Sequence, residues 1–199
     1  ARELREGFAA VGANPLLAQL IVAAIVAYAM TGPMQILLPK LAREVLGLSE
    51  LQRGDYLGLI ALALIAGGVT ALLLSKHLHH GAAIFVGTVT ASLLFASLSH
   101  WSSAAASAAA LGGMGLLGGM VISFVIAGIQ GQAPDALRGR IMGIYSIISQ
   151  VVPAASGVAA GALVRTTGVT SAIAMAGVGL AGVALLAALA MPQLRRMRA

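Results

Sequence analysis

Polar side chains that could bind a ligand recur at helical spacing inside long apolar stretches of this sequence. In the first stretch, Tyr28, Thr31 and Gln35 occupy positions i, i+3 and i+7, which places them on one face of a helix. Pro33 lies among them and removes one backbone hydrogen bond, so we predict a kink there. We predict that this stripe lines a substrate cavity. The alternative is ordinary hydrogen bonding between helices, worth about 0.6 kcal/mol per group.

A second polar stripe lies in the fifth apolar stretch. It comprises Ser146, Gln150, Pro153, Gly157 and Gly161, with Tyr145 and Ser149 on an adjoining face. Gly157 and Gly161 have the spacing of small residues that lets two helix backbones approach closely. We therefore expect the glycine end of this helix to pack tightly, and Ser149 and Gln150 to face a substrate pathway near mid-span.

Glycine dominates the fourth apolar stretch, at positions 112, 113, 115, 118 and 119. Each glycine lowers helix stability by about 1 kcal/mol relative to alanine, so the cluster predicts either a helix that bends as a gate or a static, crowded interface. Ser123 and Gln130 share one face further along the stretch. We place Ser123 in the cavity and Gln130 near the cytoplasmic end.

Residues for covalent, acid–base or metal chemistry are sparse. The chain has no cysteine, which excludes a thiol nucleophile, a disulfide framework and a thiolate metal site. His77, His79 and His80 follow Lys76 without a carboxylate, so we expect a solvated basic loop rather than a metal site. No carboxylate pair inside an apolar stretch and no nucleotide-binding glycine motif occurs. We therefore expect neither an enzyme nor a bound cofactor or metal.

The composition indicates an integral membrane protein, because 59% of the 199 residues are hydrophobic and only 9% are charged. A soluble domain carries roughly 25% charged residues. Six stretches match the roughly 20 residues that cross a bilayer. They are Leu16–Leu38, Tyr56–Leu74, Ala82–Leu98, Ala104–Gln130, Ile141–Val164 and Ser171–Met191. Every Lys, Arg, Asp and Glu falls outside them, as expected from a cost of about 2.5–3.5 kcal/mol for a charge at the membrane centre.

The basic residues predict sidedness. One side of the predicted membrane carries Arg2, Arg5, Lys76, Arg138, Arg140, Arg195, Arg196 and Arg198, and the other carries Lys40, Arg43, Arg53 and Arg165. The positive-inside rule assigns the first side to the cytoplasm, with both chain termini. The net charge of +6 is then a topology signal that requires no nucleic acid. Residues 1–12 carry an apolar stripe of Leu4, Phe8 and Val11, which predicts a short interfacial helix.

One loop and the helices around it carry a family resemblance. The segment from Gln130 to Gly143 reads QGQAPDALRGRIMG and leads into a helix with Pro153, Gly157 and Gly161. It resembles the loop between helices ten and eleven of major facilitator superfamily transporters, in the branch of drug and siderophore exporters such as enterobactin and macrolide exporters. The first span, with Pro39 followed by the segment 41–49 (LAREVLGLS) and Gly54, resembles helix seven of that branch.

The resemblance implies an all-α membrane fold of two inverted three-helix repeats, the C-terminal half of a twelve-helix carrier in the bacterial inner membrane. Residues 1–14 would end the central cytoplasmic loop, residues 15–192 would form the bundle, and 193–199 a basic tail. Substrate would bind between this half and an N-terminal half or a second copy. The initial Ala1, in place of Met, suggests a fragment or a processed chain.

A cytoplasmic latch is the last expectation. Asp135 and Arg138 are three residues apart and can pair, and Arg138 and Arg140 can donate to carbonyls at a helix end. We group them with Gln130 and Tyr145 as a gate; the alternative is that the arginines only set topology.

The absence of ionisable residues from the spans favours a hydrophobic or amphipathic substrate and places any proton-relay acid in the other half. A non-transporting six-span scaffold or a dimerising half-carrier remains the alternative function, and a channel ranks last.

Overall fold

The computed structural model describes residues 2–75, 78–195 and 197, with the side chains of residues 2–6 excepted. Lys76, His77, Arg196 and Arg198, and the side chains of Arg2, Leu4 and Arg5, bear on predictions made above and lie outside the described residues. The described helices are α1 (Arg2–Ala13), α2 (Pro15–Ala29), α3 (Thr31–Lys40), α4 (Glu50–Leu74), α5 (His80–Ser97), α6 (Ala104–Gln132), α7 (Arg138–Thr167), α8 (Val169–Ala190) and α9 (Pro192–Arg195).

Six helical segments are long and apolar enough to cross a membrane, which confirms the predicted all-α, six-span fold. The first segment consists of α2, α3 and a wider helical turn over Leu41–Val45, and α4 to α8 supply the rest. The helix of the second span, α4, begins at Glu50, six residues before the predicted start of that span at Tyr56. Ser49 accounts for the difference, because its side chain caps the Gln52 amide while the Gln52 side chain accepts from the Ser49 amide.

The first span is interrupted halfway, which agrees with the predicted kink. Helix α2 ends at Ala29 and α3 begins at Thr31, with Met30 as a turn between them. Pro33 has no N–H with which to bond the Ala29 carbonyl, so the helical ladder is broken at this point. The regular bonding resumes at Met34, whose amide donates to the Met30 carbonyl at 3.2 Å.

Glycine allows α4 and α6 to pack more extensively than any other pair of helices. A Cβ at Gly67 would overlap the Leu116 carbonyl, and one at Gly119 would overlap the Leu64 carbonyl. A Cβ at Gly115 would lie 2.7 Å from that of Ala63. Of the two alternatives left open for the fourth stretch, these positions show the crowded interface.

The first and last segments that the structure describes, α1 and α9, lie at the same end of the bundle. The Leu194 amide donates to the Gln19 side-chain oxygen at 2.8 Å, and Gly7 of α1 lies against Ile144 near the start of α7. His80 departs from the predicted solvated loop at this end. It begins α5, is 9% exposed, and stacks on Phe124 with ring centroids 4.6 Å apart. Phe124 provides an apolar surface that covers the imidazole, which the loop sequence alone does not reveal.

Candidate functional site

A cavity of about 150 Å³ lies beside the interruption of the first span. It is bounded by residues near the middle of four of the six spans. Its lining residues are Ala27, Tyr28, Met30, Thr31, Met34, Leu64, Thr88, Ala91, Met114, Gly115, Gly118, Val121 and Ile122. Because these residues sit halfway along their helices, the cavity lies midway between the two ends of the bundle.

The hydroxyl groups of Tyr28, Thr31 and Thr88 supply the side-chain polarity of the cavity wall. Tyr28 and Tyr145 share a hydrogen bond of 2.6 Å between their hydroxyls, which joins α2 to α7. The Thr88 hydroxyl donates to the Ile84 carbonyl at 2.7 Å. Thr31, also in the wall, completes the set. A ligand here would therefore meet an apolar wall with a few neutral groups able to orient it.

Methionine contributes to the cavity wall, which sequence reasoning did not predict. Met30, Met34 and Met114 come from two spans and meet at the cavity. The Ser92 hydroxyl, on a third span, donates to the Thr88 carbonyl at 2.8 Å and lies 3.6 Å from the Met30 sulfur. Methionine side chains are flexible and polarisable and are common at surfaces that accept varied ligands. Two methionines four residues apart beside Pro33 could have raised this possibility.

The other predicted cavity residues lie elsewhere. Gln35 is exposed on α3, Ser123 faces Gly68 of α4, and neither contributes to the cavity wall. On α7, Ser149 donates to the Ser146 carbonyl at 2.8 Å, and Gln150 is exposed. Of the six residues predicted to line a substrate cavity, Tyr28 and Thr31 lie in the wall of this one, and the role of all six in binding substrate stays a prediction.

Gln35 instead lines a groove of about 550 Å³ on the outside of the bundle, between α3 and α7. The two helices touch where a Cβ at Gly32 would overlap the Pro153 carbonyl, close to Gly157. Beyond that point they separate, and a Cβ at Gly161 would meet no atom within 4 Å. The predicted glycine motif thus packs through its first member only, and Gly161 forms part of the groove wall.

The loop predicted to form a latch contains the expected ion pair. Arg138 Nη2 donates to Asp135 Oδ1 at 2.6 Å, with both side chains exposed. Gln130 is exposed at the end of α6, and the backbone of Arg140 lies near Gly7 of α1. Tyr145 is separate from this group, because it is buried against Tyr28. The gating role of these residues stays a prediction.

No protein-family model and no curated protein matches this chain. Within residues 2–75, 78–195 and 197, no group of three or more His, Asp or Glu side chains is placed to hold a metal ion. The sequence and the structure together establish an integral membrane protein of six helical spans, with an apolar cavity at mid-depth beside the turn at Met30 in the first span.

Proposed function

We propose that this chain is the C-terminal half of a secondary-active transporter of the major facilitator type, which exports hydrophobic or amphipathic small molecules by alternating access. The observation that carries the proposal is the cavity beside the break at Met30, at the centre of the membrane-spanning bundle. Transporters place substrate sites near the membrane midplane, frequently where a helix is interrupted. An apolar cavity at that depth is expected of a carrier, whereas a passive scaffold does not require one.

The size of the cavity bears on what it could bind. About 150 Å³ is the volume of a cavity that accepts benzene, whereas sites for drug-sized ligands occupy about 300–1,000 Å³. The cavity therefore suits one ring or branched group of a larger molecule. In the proposed carrier, the N-terminal half or a second copy supplies the rest of the site.

The distribution of exposed side chains supports a missing partner. In α4 only 11% of an 18-residue apolar stretch is buried, and in the segment containing α7 only 17%, against 56% for the segment containing α5. Leu62, Ile65 and Val69 are among the exposed residues of α4. The proposal assigns part of these faces to the second half and the remainder to lipid.

The 135–140 loop acts, in this proposal, as a cytoplasmic latch that closes one state of the carrier. Arg138 is already paired with Asp135, and the same guanidinium could donate to carbonyl groups of a neighbouring helix end. We expect Arg138→Ala to reduce transport and to leave membrane insertion unchanged. Unchanged transport would show that the arginine only sets topology.

The decisive experiment fills the cavity. Ala91 is 3% exposed and faces the cavity, so Ala91→Leu should occupy it and reduce efflux of ethidium from bacterial cells by at least about tenfold. The matched control is Ala190→Leu, because Ala190 is exposed at the end of α8 and lies outside the cavity wall. Both variants are assayed in the full gene product, with the amount of folded protein measured in the membrane.

Two results would count against transport through this cavity. Ethidium efflux that is equal in Ala91→Leu and the unmodified protein would exclude the cavity as part of the pathway. If the unmodified protein produces no efflux of ethidium or of a panel of lipophilic dyes above that of empty cells, the scaffold or half-carrier function is favoured instead.

A further inference from the structure

A second groove, of about 260 Å³, lies between α5 and α8 and is separate from the central cavity. It is apolar along its length, and one arginine lies at its end. The lining residues are Ala82, Phe85, Val86, Val89, Thr90, Leu185, Ala188 and Arg195. They share no member with the wall of the central cavity.

The fold holds the segment that carries Arg195 against the start of α5. Gly81 makes this possible, because a Cβ there would overlap the Leu194 carbonyl. Two hydrogen bonds fix the same segment: the Leu194 amide donates to Gln19, and the Gly81 amide donates to the Met197 carbonyl at 3.3 Å. Arg195 is therefore placed at the groove by backbone contacts and stays exposed.

Arg195 lies in a part of the sequence that is poor in acidic residues. No carboxylate pairs with it among the residues that the structure describes. The sequence has no Asp or Glu between Asp55 and Asp135, and none after Asp135. Neither wall of the groove can therefore neutralise the guanidinium. The positive end of the α5 helix dipole lies at the same end of the groove and adds to the attraction for an anion.

We infer that this groove binds an anionic phospholipid. The guanidinium of Arg195 contacts the phosphate, for which its planar donors are suited, and one acyl chain lies along Phe85, Val86 and Val89. A free phosphate would leave the apolar length of the groove unused, and a neutral hydrocarbon would leave the charge unused. Basic pockets between membrane helices commonly bind such headgroups.

The inference is independent of the transport proposal, because the groove is formed by α5, α8 and α9 and lies outside the central cavity. A lipid bound there contacts both α5 and α8 and should stabilise the folded protein relative to the unfolded chain. One basic side chain near an anionic lipid headgroup contributes roughly a fivefold change in affinity. Removing the charge of Arg195 should therefore weaken lipid binding by about that factor.

The test titrates the delipidated full chain in a neutral detergent with dioleoylphosphatidylglycerol, and in parallel with dioleoylphosphatidylcholine. Native mass spectrometry counts bound lipid and thermal unfolding reports stabilisation. We expect tighter binding of the phosphatidylglycerol, and Arg195→Gln should weaken that binding about fivefold. The matched control is Arg165→Gln, which removes an exposed arginine outside this groove and should leave the affinity unchanged.

Two further measurements distinguish the contribution of the headgroup to binding from that of the acyl chain. Ala188→Phe should fill the groove and weaken binding of both lipids while Arg195 is retained. Glycerol 3-phosphate at millimolar concentration should not displace the lipid, because it has no acyl chain. The inference is overturned if both lipids bind equally well, if Arg195→Gln and Arg165→Gln behave alike, or if glycerol 3-phosphate competes.

Discussion

Two of the helix interfaces that contain glycine, α4–α6 and α3–α7, differ in how far the close contact extends. Between α4 and α6, Gly67, Gly115 and Gly119 all face neighbouring atoms at distances that exclude a side chain. Between α3 and α7 the contact is tight only at Gly32, and the helices diverge before Gly161. The first interface holds two helices together, and the second opens into a groove on the outside of the bundle.

The difference shows that a glycine acquires its role from the atoms that face it. At Gly119 the facing atom is a backbone carbonyl, which cannot move aside as a flexible side chain can. At Gly161 no facing atom lies within 4 Å. Since both residues occur in helices with several glycines, spacing alone does not distinguish a fixed contact from an open surface.

The largest effect that separates the two interfaces should come from Gly119→Leu. The new side chain would overlap the Leu64 carbonyl and force α4 away from α6, at a cost at the upper end of the overpacking range, about 3 kcal/mol or more. Gly161→Leu, which projects into the open groove, should cost less than about 1 kcal/mol. Unfolding in mixed detergent micelles measures both, and equal costs would show that the two interfaces do not differ.

The next effect tests the α3–α7 interface from its two sides. Gly32→Ala should destabilise the protein by about 2 kcal/mol, because its Cβ would overlap the Pro153 carbonyl. Gly157→Ala adds a Cβ whose nearest neighbour is 3.6 Å away, an ordinary contact, so its cost should stay below about 0.5 kcal/mol. The same unfolding assay would contradict this asymmetry if Gly157→Ala were the more damaging change.

A smaller effect concerns one hydroxyl pair near each interface. Tyr28 and Tyr145 join the first span to α7, and Tyr56 and Ser107 join α4 to α6, both at 2.6 Å. A double-mutant cycle with Tyr28→Phe and Tyr145→Phe should give a coupling of about 0.6 kcal/mol, typical of such bonds in membranes. The cycle of Tyr56→Phe and Ser107→Ala should give a similar value. A coupling near zero for one pair would show that its interface is looser.

The spans were predictable from sequence because apolar length and the exclusion of charge are properties of one helix at a time. The break near Met30 was predictable for the same reason, since Pro33 acts on its own backbone. Caps were less visible: Ser49 extends α4 to Glu50, although residues 50–55 include three charged side chains. Hydropathy alone therefore placed the start of that helix too late.

The residues that line the cavity were less predictable, because the lining depends on which helices face each other. Tyr145 was grouped with the cytoplasmic loop, yet its hydroxyl bonds to Tyr28, 117 positions away in the sequence. Gln35 follows Thr31 by one helical turn, but it lines the groove between α3 and α7 and is not part of the cavity wall. The three methionines of the wall could not be assigned to the cavity from sequence, because an apolar residue in an apolar span does not show which way it faces.

The smallest effect is expected in the loop between α6 and α7, which connects a helix of each interface. Asp135→Asn removes the ion pair with Arg138, but both side chains are exposed, so the cost should be below about 0.5 kcal/mol. The unmodified protein should lose the same small increment when NaCl is raised to 1 M, because salt screens exposed pairs, and Asp135→Asn should not. A cost above about 1 kcal/mol would contradict this prediction, because it would exceed what an exposed ion pair contributes.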